Sequence, residues 1–216
     1  MSTAQGALGR PRVGVLSVQG AFAEHAAMLA ATGAEPVDVR APEALEGLDA
    51  IVLPGGESTT LGLVSEASGL LPALREALGA GLPALGTCAG MIMLARGTTG
   101  GGQPLIGGMD IVVRRNAFGR QRSSFETELV VPAMGGEPVE AVFIRAPWIE
   151  EAGPGVEVLA EHAGHPVAAR EGMLMVAAFH PELSGERRFH EWLVARARER
   201  RDGGGVTTRR DRVRAQ

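Results

Sequence analysis

The single cysteine of this 216-residue chain, Cys88, stands in the run "LGTCAGM" at residues 85–91, with a glycine two positions to either side. Apolar stretches precede and follow it. G-x-C-x-G between a strand and a helix is the thiol counterpart of a nucleophile elbow, in which a sharp turn pushes the reactive side chain out above the carboxyl edge of a sheet. The chain doubles back there, so residues two away must be small, a demand that Gly86 and Gly90 meet. At the start of the following helix the dipole and free N–H groups favour a thiolate, and the Ala89 N–H points the right way to stabilise an oxyanion.

A thiol nucleophile also needs a base. "FHPEL" at residues 179–183 supplies His180 with a carboxylate two residues on. In extended chain residues i and i+2 project to one side, and Pro181 biases His180 away from helix. His180 and Glu182 are therefore expected to face one way, as base and orienter. The other histidines, His25, His162, His165 and His190, lack this arrangement. His25 and His190 fall in helical patterns and are read as surface or packing residues. A third motif, "LPGGEST" at residues 53–59, ends another apolar run with two glycines, which permits close backbone approach and a second oxyanion donor, the N–H of Gly56. Ser58 reads as the N-cap of the next helix. With no G-x-G-x-x-G and no G-K-[ST], a phosphate loop is not indicated.

The elements around these motifs must bring them to one edge. Short apolar runs alternate with amphipathic segments, the pattern of a sheet flanked by helices. Strands are expected at residues 12–18, 35–40, 48–56 and 81–87. Helices are expected at 21–33, with Phe22, Ala26, Leu29, Ala30 and Gly33 on one stripe, at 58–79 in segments, and at 89–96. Residues 97–108, "GTTGGGQPLIGG", read as a glycine-rich loop. Extended segments follow at 111–118, 123–131, 140–147, 156–162 and 173–180, then a last helix at 186–200 with Phe189, Trp192 and Leu193 inward. The expectation is one α/β domain, a three-layer, flavodoxin-like sandwich with a mostly parallel central sheet and extra antiparallel strands in its second half. Its bounds are drawn at residues 12–200, between a flexible N-terminus at 1–11 and a disordered Arg-rich tail at 201–216.

Composition narrows the class. Hydrophobic residues make up 45% of the chain, enough for a core without disulfides or metals, and no apolar run approaches the roughly 20 residues needed to cross a bilayer. One cysteine makes no internal disulfide, which fits a reducing cytoplasm, and the first residues lack a signal-peptide core. Net charge is −4, so the body of the protein is not built to hold nucleic acid. From residue 196 onward eight arginines face Glu199, Asp202 and Asp211; such a tail is read as solvated. All 21 basic residues are arginine, a bias of composition rather than a functional signal.

"GTCAG", "FHPE" and "LPGGEST" together resemble the class I, or triad, glutamine amidotransferases. With "VQGAFAEH", "RNAFGRQRSSFE" and "FIRAP", the resemblance narrows to the glutaminase subunits of pyridoxal 5'-phosphate synthases and spans residues 13–193. It implies Cys88 as nucleophile, His180 as base and Glu182 as its orienter, with glutamine contacts at Gly56, Glu57, Ser58, Arg115, Ile144 and Arg145. The two arginines make chemical sense, because a guanidinium matches an α-carboxylate in a fork. No metal or organic cofactor is required. The implied partner is a (β/α)8-barrel synthase subunit in a large hetero-oligomer, and coupling to it is placed at Gln19 and Gly20, at the end of the first strand. Two other readings stay open. One is a glutaminase serving another synthase, such as that of imidazole glycerol phosphate; the other is a non-catalytic regulatory domain of the same fold. "RNAFGRQ" weighs against the first and an intact triad against the second.

Overall fold

Four apolar runs lie side by side at the centre of the molecule, which is described here by a computed structural model covering residues 9–119 and 124–203. The first half runs β1 (Arg12–Leu16), α1 (Phe22–Ala31), β2 (Glu35–Val39), β3 (Ala50–Leu53), α2 (Ser58–Ala67), α3 (Leu70–Gly79), β4 (Ala84–Thr87) and α4 (Ala89–Leu94). The second half runs β5 (Ala95–Thr99), β6 (Met109–Arg114), β7 (Ser124–Val130), β8 (Pro138–Ile144), β9 (Trp148–Ala152), β10 (Glu157–His162), β11 (His165–Glu171), β12 (Leu174–Ala177), α5 (Pro181–Ser184) and α6 (Arg188–Asp202).

Seven strands form the main sheet in the order β10-β11-β12-β4-β3-β1-β2. From β12 to β2 every pairing is parallel, whereas β10 and β11 add an antiparallel edge. β3, β4 and β12 are buried at every residue, as strands covered on both faces must be. Helices flank the sheet: α6 packs on β1, β3 and β4 and against α1, while α4 packs on β3, β4 and β12 and against α2. Parallel strands point their carboxyl ends the same way. The loops after β1, β3, β4 and β12, which carry the glycine-pair, cysteine and histidine motifs and Gln19, therefore emerge at one edge.

The second half holds a small sheet, β5-β6-β9, and a hairpin, β7-β8. An aromatic cluster fastens the hairpin down. Phe125 stacks on Phe143 with ring centroids 4.7 Å apart, Phe143 meets Phe179, and Phe179 meets Phe189 of α6 edge-on. Phe143, Phe179 and Phe189 are wholly buried, each burial contributing roughly 1.5–3 kcal/mol. Phe179 immediately precedes His180, so this cluster also anchors one wall of the site.

Several expectations from sequence are corrected. Strands β9 and β11 were not foreseen: "WIEEA" is rich in acid, and "HPVAARE" carries a proline at its second position. Helix α4 stops at Leu94, because Ala95 already belongs to β5, which also takes Gly97, Thr98 and Thr99 out of the expected loop. On α1 the inward residues are His25, Met28 and Leu29, while Ala30 is exposed and Phe22 and Ala26 are half-buried. That helix is rolled toward His25, which pairs with His190 on α6. On α6 Trp192 is only partly buried, beside a fully buried His190. Arg201 and Asp202 complete α6, the Arg201 guanidinium reaches the Gly9 carbonyl, and Pro11 accepts a hydrogen bond from the Glu35 N–H at 2.8 Å. The rest of both terminal segments, and the "RQRS" of the long arginine motif, lie outside the described residues. Among those described, no helix is long and apolar enough to cross a membrane.

Candidate active site

Cys88 sits where β4 turns into α4, with φ 48° and ψ −101°, a backbone state that non-glycine residues rarely adopt. Its N–H donates to the Ala177 carbonyl of β12 at 2.8 Å, which holds the turn against the sheet. The flanking glycines are a steric necessity. A Cβ on Gly86 would lie 2.7 Å from the Gly90 carbonyl, and one on Gly90 would collide with the Leu53 carbonyl oxygen of β3.

His180 arrives from β12 as the N-cap of α5, its N–H donating to the Val142 carbonyl of β8 at 2.9 Å. Its Nδ1 lies 2.7 Å from Glu182 Oε1. The pair forms as expected, but by another route: Glu182 belongs to the first turn of α5, not to an extended strand. Burial alone would push the His180 pKa down. Hydrogen bonds to Cys88 and Glu182, with their negative charges, outweigh it and raise the value to about 10. Burial likewise pushes Glu182 up, and hydrogen bonds from His180 and His25 overcome it, holding the carboxyl well below the usual range. The arrangement thus favours an imidazolium between a carboxylate and the thiol. The thiol also reaches the Ile144 carbonyl at 3.7 Å.

These groups open into one cavity of about 250 Å³. Its lining brings together Gly20, Gly56, Glu57, Ser58, Cys88, Ala89, Arg115, Ile144, Arg145 and His180, residues singled out from three motifs and three further stretches far apart in sequence. Glu182 stands behind His180, and Gln19 behind the 53–59 loop, where its Oε1 accepts from the Glu57 N–H at 2.9 Å. Gly20 is pressed against the same loop, since any Cβ there would collide with the Gly55 carbonyl. Gly55 in turn has room for no side chain, because the His180 ring occupies that space.

The helix cap differs from expectation. Glu57, not Ser58, caps α2, its carboxylate accepting from the Thr59 and Thr60 N–H groups at 3.1 and 2.7 Å. Its longer side chain reaches past Ser58, which is the first helical residue and donates instead to Gln103 Oε1 at 3.0 Å. Burial works against the Glu57 charge, but those hydrogen bonds prevail and lower its pKa to about 2. The same carboxylate meets Arg115 at 3.2 Å, so the cavity wall carries a paired negative and positive group.

Four non-glycine residues have positive φ among those described, and Cys88, Asn116 (48°) and Arg145 (45°) all line this cavity. Such strain gathers where function over-determines the backbone. Asn116 escaped the sequence reading, although an asparagine between "RR" and a small residue is a typical left-handed position. His25, His190 and Thr87 were missed as well. His25 lies 2.8 Å from His190, 3.0 Å from Thr87 Oγ1 and 3.4 Å from Glu182 Oε1, and no local motif announces contacts of that sequence separation.

Known proteins share this arrangement of chain. A protein from Frankia casuarinae named pyridoxal 5'-phosphate synthase subunit PdxT is 55% identical over 195 residues, 89% of this chain and 98% of that one. A protein of the same name from Pelotomaculum thermopropionicum is 56% identical over 183 residues, 85% of this chain and 93% of that one. A solved structure described as a glutamine amidotransferase superposes with a TM-score of 0.81 at 44% identity, covering 86% of this chain and 98% of the other. A more distant structure from Thermotoga maritima, also described as a glutamine amidotransferase, shares the fold at 14% identity and a TM-score of 0.56, covering 89% of this chain and 93% of its own. The sequence profile of the SNO glutamine amidotransferase family matches residues 15–199, and the chain belongs to that family.

Proposed function

We propose that this protein hydrolyses L-glutamine to L-glutamate and ammonia as the glutaminase subunit of a pyridoxal 5'-phosphate synthase. The observation that carries the reading is a single cavity lined by Cys88, by the His180 that Glu182 orients, and by the Glu57–Arg115 pair. A free amino acid is a zwitterion. Arg115 and Arg145 offer guanidinium groups to its α-carboxylate, and Glu57 offers a carboxylate to its α-ammonium.

The Cys88 thiolate attacks the side-chain amide carbon, forming a C–S bond while the amide oxygen takes negative charge. N–H groups of Ala89 and Gly56 are assigned to that oxygen, each such donor contributing about 2.7–4 kcal/mol. His180 gives its proton to the leaving nitrogen as the C–N bond breaks and ammonia departs. It next takes a proton from water, which adds to the γ-glutamyl thioester; the C–S bond breaks, glutamate leaves and Cys88 is restored.

Ammonia that escapes into neutral water becomes ammonium, which is not nucleophilic, so a biosynthetic glutaminase has to deliver it directly. We assign the recipient as a (β/α)8-barrel synthase subunit within a larger hetero-oligomer. Gln19 and Gly20 are the coupling point, because they grip the loop that carries Gly56 and Glu57. The test is ammonia release from glutamine with and without the synthase subunit. Wild type is expected to be stimulated, Cys88→Ala to fall to background, and Gln19→Ala to lose most of the stimulation. Equal rates for wild type and Cys88→Ala would sink the nucleophile assignment, and full stimulation of Gln19→Ala the coupling role.

A further inference from the structure

Behind the His180–Glu182 pair stand two more imidazoles that the hydrolytic cycle leaves unused. His25 of α1 and His190 of α6 are both wholly buried, with His25 Nδ1 2.8 Å from His190 Nε2. His25 Nε2 faces Thr87 Oγ1 at 3.0 Å and Glu182 Oε1 at 3.4 Å. Glu182 Oε1 therefore serves two imidazoles, while its Oε2 is buried without a partner. The terminal torsion of a glutamate is broad, so a carboxylate held at one oxygen by one donor is free to swing. Two donors converging on the same oxygen fix it.

A carboxylate only accepts, so His25 presents an Nε2–H to Glu182 Oε1. The Glu186 backbone bears on the His190 ring, whose Nδ1 is buried without a hydrogen bond. Burial, with the neighbouring His25, lowers the His190 pKa to about 3 and keeps that ring neutral.

We infer that His25, held in place by His190, is a positioning residue for the glutaminase reaction: it locks the Glu182 carboxylate so that Oε1 stays on His180. The residue acts through Glu182 and touches no substrate. This rests on the glutaminase reading for its effect on turnover, but not for its effect on the thiol. The titratable groups that face one another here are Glu182, His180 from its own turn, His25 from α1, His190 from α6 behind it, and Cys88 across from His180.

The experiment compares wild type, His25→Leu and His25→Gln in the full chain. Glutamine turnover with the synthase subunit is measured against pH, and so is the rate at which iodoacetamide alkylates the protein's only cysteine. His25→Leu is expected to lower kcat by about tenfold, near the lower end for a hydrogen bond to a charged group, with KM held within roughly twofold. The same change moves the acid limb of Cys88 alkylation up by about one pH unit, because a Glu182 carboxylate that swings off His180 no longer supports the imidazolium that favours the thiolate. His25→Gln, whose amide nitrogen replaces Nε2 as a donor, restores most of both. A His25→Leu protein with the wild-type limb overturns the inference, as does an equal kcat loss in both variants with no movement of the limb. If wild type releases no ammonia at all, the glutaminase reading fails, and the alkylation limb alone still decides the role of His25.

Discussion

Glycines crowd two neighbouring stretches of this chain, the turn around Cys88 and the connection from β5 to β6, and the two crowds answer to different demands. Beside Cys88, a Cβ on Gly86 would press on the Gly90 carbonyl, and one on Gly90 would enter the Leu53 carbonyl. Between β5 and β6, a Cβ on Gly100, Gly101, Gly102 or Gly107 would meet nothing within 4 Å. The elbow is glycine because neighbouring backbone leaves no space. In the connection a torsion asks for glycine at some positions, as at Gly100 with φ 90°, and neither torsion nor space asks for it at Gly102. A glycine-rich sequence by itself therefore says little about function. What distinguishes the elbow is that its glycines let three strand ends, a strained cysteine and a buried base close on one another.

Substitutions can break that comparison. Gly90→Ala carries the largest expected effect: displacing β3 or α4 costs on the order of 3 kcal/mol or more and removes glutamine hydrolysis. A denaturant titration and an ammonia assay check both, and a stable, active Gly90→Ala protein would refute the steric account of the elbow. A middle-sized effect comes from pH. His180 is raised from its ordinary 6.5 to about 10, so its contribution to stability is complete below 6.5, declines above it and is gone once pH passes about 10. Glu182 is lowered from 4.5, so its contribution is present above 4.5 and lost as pH falls through its lower folded value. The Tm gap between wild type and His180→Gln should accordingly be widest between those two ordinary values and narrow steadily toward pH 10. A constant gap would mean that His180 is not held as an imidazolium. The smallest effect belongs to Gly102→Ala, expected to leave stability within about 0.5 kcal/mol and kcat unchanged at every pH. A large loss there would assign the β5–β6 connection a role in the site.

The residues legible in sequence were those whose chemistry is local. Cys88 between glycines, His180 two residues before Glu182, and the paired glycines after an apolar run each carry their meaning within seven positions. The parallel core was legible for the same reason, since "AIVL" and "LMVA" are apolar throughout. What escaped depends on tertiary partners. His25 and His190 are 165 residues apart, and each read as an ordinary helical histidine until the helices α1 and α6 were set side by side. Glu57 displaced Ser58 as a cap because its carboxylate spans two N–H groups and Arg115 together, a choice settled by the cavity rather than by helix propensity. Strands β9 and β11 were hidden by charge and by proline, and they form because partners already in place offer them hydrogen bonds.

The central claim is that Cys88 attacks glutamine with His180 as its base. Incubation with a glutamine analogue bearing an electrophilic carbon at the amide position, followed by intact mass and peptide mapping, tests it most directly. One adduct per chain on Cys88 is expected, suppressed by excess glutamine, slowed in His180→Ala and absent in Cys88→Ala. Labelling that persists in Cys88→Ala, or that glutamine fails to suppress, would contradict the account.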